Sequence, residues 1–108
     1  MIRHIVLIRF RADVTEEQIA EIFTDLQRIR AHLPGMGRFC AGRSESPEKI
    51  ERGFMHGFTV DFADWQALAD YQAHAEHRKV GDRIVAAAEG GMEGILVFDF
   101  QIHGVAPC

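Results

Sequence analysis

Residues 2–10, Ile-Arg-His-Ile-Val-Leu-Ile-Arg-Phe, alternate as a strand does, yet carry apolar side chains on both faces. One parity class holds Ile2, His4, Val6, Ile8 and Phe10, and the other holds Arg3, Ile5, Leu7 and Arg9. Such a strand has to be covered twice, by helices on one side and by a further layer, such as another subunit, on the other. Two more segments read as strands. Phe54, His56, Phe58, Val60 and Phe62 share a core face opposite Met55, Gly57, Thr59 and Asp61. Residues 94–102 set Leu96, Phe98, Phe100 and Ile102 against Ile95, Val97, Asp99 and Gln101. Residues 36–46 are a weaker candidate, interrupted by Gly37 and Gly42, as an edge or bulged strand is.

Between these lie two helical patterns. Thr15 followed by Gln18 forms a capping-box signal, and Glu16 and Glu17 suit the positive end of a helix. Ile19, Ile22, Phe23, Leu26, Ile29 and Leu33 recur at three- and four-residue steps until Pro34-Gly35, which predicts a helix over 16–33. Asp64 caps a second helix that turns Trp65, Leu68 and Tyr71 inward and continues through His74 and His77 to near Ala88. The resulting order β-α-β-β-α-β predicts an α+β, ferredoxin-like domain: an antiparallel sheet with its helices on one face. The 108 residues suffice for one core, so a single domain over 1–108 is expected. The bare sheet face, read as Ile5, Leu7, Ile95 and Val97, predicts a homodimer through that open face.

A formal net charge of −4 offers no general attraction to nucleic acid or to anionic membrane surfaces. Arg3, Arg9 and Arg11 read as a solvated or subunit-facing edge. No apolar run approaches the roughly 20 residues of a membrane span. Cys40 and Cys108 make no disulfide framework, and the first residues lack a signal-peptide layout, so the expected compartment is the cytoplasm.

Six histidines carry the chemical interest, because imidazole titrates near neutrality and exchanges protons without a cofactor. His4 and His56 fall on the core parity of their strands. His74 and His77 share a helical face, with Tyr71 three residues earlier. Together these five can surround one cavity between sheet and helices, whereas each taken alone also reads as a hydrogen-bonded core residue. His32 and His103 sit at element ends and read as solvated.

The succession His4-Ile-Val-Leu-Ile-Arg-Phe10, Thr15-x-x-Gln18, Pro34-Gly35-Met36, Gly53-Phe-Met-His56-Gly-Phe58, Tyr71-x-x-His74-x-x-His77 and Val97-Phe98-Asp99-Phe100 resembles the stress-responsive dimeric α/β-barrel family over almost the whole chain. The resemblance implies a ferredoxin-like protomer whose sheet packs face to face with that of a second copy, forming a barrel. A plant polyketide cyclase of that family performs a cofactor-free aldol condensation. By motif position the resemblance assigns its base to His77 and its assisting tyrosine to Tyr71, with His4, His56 and His74 on further histidine positions. Ala75 replaces the usual proline, and the stretch after Asp82 is rich in alanine and glycine, which predicts a pocket of different shape.

A partly buried, neutral His77 can remove a proton next to a carbonyl while Tyr71 steadies the developing enolate. Val6, Ile8, Ile22, Phe23, Leu26 and Phe58 are expected to line the apolar chamber with His4, His56 and His74. The ligand class is a small apolar or carbonyl compound, and no cofactor is expected. Isomerisation, cyclisation and lyase chemistry all remain open at this point. So do two readings of other kinds: a dimer that binds a ligand or serves as a stress-associated protein without turnover, and a metal protein using His74 and His77 with His4 or His56, although no cysteine or carboxylate completes a recognisable ligand set.

Overall fold

In the computed structural model, which describes residues 1–103, strand β1 (Ile2–Ile8) occupies the interior of a four-stranded antiparallel sheet of order β2-β3-β1-β4. The other strands are β2 (Met36–Arg43), β3 (His56–Phe62) and β4 (Ile95–Gln101), and the helices are α1 (Glu16–Arg28), α2 (Trp65–Ala73) and α3 (Ala75–Ala87). This is the expected ferredoxin-like arrangement. Cys108 lies outside the described residues.

The two-faced pattern of β1 resolves as its parity predicts. Ile2, His4, Val6 and Ile8 are buried beneath the helices together with His56, Phe58, Val60 and Phe62 of β3. From the helices they receive Ile19, Ile22, Phe23 and Leu26 of α1, Leu68 and Tyr71 of α2, and Val80 and Ile84 of α3. Helix α1 begins with the complete capping box: the Gln18 N–H donates to the Thr15 hydroxyl at 3.1 Å, and the Thr15 N–H donates to the Gln18 side chain at 2.9 Å. Its last turn, Ile29–His32, tightens into a 3-10 turn before Pro34. Strand β2 is an edge strand, and its register shifts between Met36 and Phe39. At Gly37, inside that shift, a Cβ would stand 2.7 Å from the Asp61 carbonyl oxygen, so the close approach excludes a side chain.

Four expectations need correction. The ladder pairs Ile5 with Phe98 and Leu7 with Leu96, so the open face carries Leu96, Phe98 and Phe100 rather than Ile95 and Val97. Ile95 and Val97 share the helix face with Ile8 and Val6. Trp65, expected inward, is 54% exposed at the first position of α2, where Leu68 and Tyr71 already fill the buried stripe. Phe54 precedes β3 and is partly exposed, and the Arg9 guanidinium lies 5.2 Å from its ring centre. The second helix breaks at His74, whose backbone is extended (φ −66°, ψ 135°), so two helices stand where one was expected.

Candidate functional site

The break at His74 aims the chemistry. Asp64 caps α2 by accepting from the Ala67 N–H at 2.8 Å, and α2 then delivers Tyr71 into the core with no exposed surface. Helix α3 restarts with His74 as its cap: the Glu76 N–H donates to His74 Nδ1 at 3.1 Å. His77 follows in the first turn of α3. Its ring centre lies 4.3 Å from that of Tyr71, which in turn lies 5.9 Å from that of His4 on β1.

His4 and His77 face a cavity of about 320 Å³ between the sheet and α3, walled by Val6, Leu26, Phe58, Ile84, Ile95 and Val97 and edged by Gln72, Arg78, Asp82 and Met92. The His77 Nδ1–H donates to the Gln72 carbonyl oxygen at 3.3 Å, a bond that places the proton on Nδ1 and leaves the Nε2 lone pair available. Burial holds the His77 pKa below the ordinary histidine value; nearby His4 and His74 push it further down, and the bond to Gln72 opposes them. The imidazole is therefore neutral at neutral pH, as a general base must be. His4 turns Nδ1 to the Asp99 carboxylate at 2.5 Å, across the ladder pair His4–Asp99, which fixes its ring plane and its proton.

Tyr71 is the unsatisfied member. Its hydroxyl is buried and has no hydrogen-bond partner among the described residues, and desolvation raises its pKa well above that of an ordinary phenol. It backs His77 and does not itself line the cavity.

Of the residues expected to form one chamber, the structure brings His4, Val6, Leu26, Phe58 and His77 together. Ile8 and Phe23 are packed in the core instead, and Ile22 faces a separate groove between α1 and α3. His56 lies apart under the start of α1, where its Nε2 stands 3.0 Å from both Glu16 carboxylate oxygens; the imidazole, followed by Arg43, lowers the Glu16 pKa. His74 turns away into its capping bond and stacks on His32, with ring centres 6.0 Å apart. The proposed imidazole set for a metal is therefore divided among separate places, and no three His, Cys, Asp or Glu side chains among the described residues are grouped to hold an ion.

Sequence reasoning missed Asp99, Gln72, Gly81, Val85 and Met92. Two signals were present. Asp99 is the one ionisable residue on the Ile95–Val97 parity of β4, and Gly81 and Val85 follow His77 at four-residue steps.

The profile of the Stress responsive A/B Barrel Domain matches residues 2–102. The stress-response A/B barrel domain-containing protein HS1 of Arabidopsis thaliana is 26% identical over 105 residues, 97% of this chain and 93% of that protein. The olivetolic acid cyclase of Cannabis sativa is 25% identical over 99 residues, 92% and 94% respectively. Among solved structures, a dimeric ferredoxin-like protein from Jannaschia sp. CCS1 superposes with a TM-score of 0.87 at 29% identity, covering 94% of this chain and 98% of that one.

Proposed function

The chain belongs to the stress responsive A/B barrel domain family, and from that premise we propose that it binds a small carbonyl compound between β1, β4 and α3 and moves a proton on it without a cofactor, His77 acting as the base. The observation that carries this reading is a neutral imidazole, its Nδ1–H committed to Gln72, in a cavity walled by apolar side chains and edged by Arg78 and Asp82. His77 Nε2 takes a proton from the carbon next to the carbonyl. The C–H electron pair becomes the enolate double bond, and the carbonyl oxygen takes up the charge. Return of the proton to another atom gives isomerisation, and attack of the enolate carbon on a second carbonyl gives the ring closure that the name olivetolic acid cyclase states for its relative. The Tyr71 hydroxyl is unpartnered beside His77, and this reading requires it to turn into the cavity to donate to the enolate oxygen.

A second reading, binding without turnover, is favoured by the complete burial of Tyr71 outside the cavity lining. Deuterium exchange at the α-carbon of 2-heptanone, followed by NMR in D2O, separates the two. Catalysis predicts exchange above the buffer rate, reduced about 10²- to 10⁴-fold in His77→Ala while the fold persists. Binding by both proteins with exchange by neither leaves the second reading standing and removes the first.

The working unit is proposed to be a homodimer through the open sheet face, supported by the exposed Leu7, Leu96, Phe98 and Phe100 and by the dimeric relative from Jannaschia. No helix among the described residues is long and apolar enough to cross a membrane. The two cysteines, too few for a disulfide framework, are the support for a cytoplasmic setting, and the net negative charge argues against a nucleic-acid partner.

A further inference from the structure

We infer that the ligand lies along α3, with its carbonyl at His77 and His4 and an apolar chain passing over Gly81 toward Val85, Ile95 and Met92, and that Gly81 sets the chain length admitted. This rests on the cavity being the ligand site.

The two walls run in the same sense. On the sheet, the ladder steps from His4–Asp99 through Val6–Val97 to Ile8–Ile95, so polarity falls along the strands. On α3, His77, Gly81 and Val85 succeed one another at four-residue steps on the cavity side, with the charged Arg78 and Asp82 at its edge, and a rise of 1.5 Å per residue puts Val85 about 12 Å beyond His77. Tyr71 touches both imidazoles, which fixes the polar ends of the two walls at the same end of the cavity. A ligand with one carbonyl and one apolar chain matches this gradient in a single orientation.

Gly81 stands midway, inside a 13-residue helix, where glycine is a poor choice for helix stability. The other described glycines have reasons to lack a side chain. Gly53, Gly90 and Gly91 have positive φ, and at Gly35, Gly37, Gly57 and Gly94 a Cβ would come within 3.0 Å of a neighbour. Only Gly42, on the exposed edge strand, and Gly81 have neither reason, and a Cβ at Gly81 would meet nothing within 4 Å. What the glycine leaves is room, and it leaves it in the wall that joins the polar end to the apolar end.

The test is NMR titration of the intact protein with straight-chain methyl ketones from 2-butanone to 2-undecanone. Wild type should tighten by up to about fourfold per added methylene until the cavity is filled. Gly81→Leu should bind the shortest ketones within about twofold of wild type and the longest at least tenfold more weakly. Gly81→Ala, which favours the helix, should fall between them and keeps the test open if the leucine variant does not fold. Wild-type binding that is indifferent to chain length, or variants that keep the wild-type chain-length series, would overturn the inference and leave the cavity reading intact. Absence of binding by wild type to any of these ketones overturns both.

Discussion

His77 and Tyr71 touch, and burial acts on them in opposite directions: it keeps the imidazole unprotonated and keeps the phenol from ionising. For His77 the folded pKa lies below its unfolded value. The stability associated with the neutral ring is therefore complete above about 6.5 and is lost as pH falls through the lower folded value. The same shift extends the range in which Nε2 can accept a proton, so turnover should show an acid limb with its midpoint below 6.5. Titration of the His77 ring protons by NMR should give the same midpoint, and a value at or above 6.5 would remove the assignment of a desolvated base. Tyr71→Phe separates packing from chemistry. Deleting a buried, unpaired hydroxyl relieves a desolvation penalty of roughly 1–3 kcal/mol, so the variant should melt at the same temperature as wild type or a few degrees higher. If the hydroxyl steadies an enolate, α-proton exchange should fall in that same, more stable protein.

At the scale of elements, the decisive feature is the break between α2 and α3. His74 ends one helix and caps the next, and that turn directs Tyr71 and His77 toward each other. His74→Ala should destabilise the protein by about 1 kcal/mol through loss of the cap, read as a lower midpoint in urea. His74→Asp should restore it, since aspartate caps well and its charge suits a helix N-terminus. A loss of ligand binding in His74→Asp with unchanged stability would instead return His74 to the site. The break was not legible because nothing between Tyr71 and His77 is a glycine or proline, and the spacing suited an unbroken helix. Where one parity class was clearly apolar, as in β3, burial was legible position by position. In β4 both classes are apolar, and only pairing with β1 decides which face each takes, so Val97 and Phe98 were exchanged. His4 and His77 were found because polar residues at core positions stand out. Asp99 escaped because its significance comes from its cross-strand partner, 95 residues away.

For the whole molecule, the question is what the bare face of the sheet does. Phe98 is 58% exposed and Leu96 42%, and both share that face with Leu7 and Phe100, a concentration of apolar surface that a lone protomer pays for in exposure to water. The polar pair on the same face is already neutralised: Arg3 binds Asp61 through two bonds of 2.9 and 3.0 Å across the β1–β3 ladder. Two such faces can meet across their apolar side chains without leaving Arg3 or Asp61 unpaired, which is a condition for self-association to be favourable. Phe98→Asp breaks that condition, placing an unpaired carboxylate on the apolar face. Sedimentation should then show a dimer for wild type and a monomer for the variant, and the melting temperature should depend on protein concentration only in the former. His77 lies on the other side of the sheet, so its depressed titration midpoint should survive in the monomer. A monomeric wild type would mean that the face is covered by something other than a second copy.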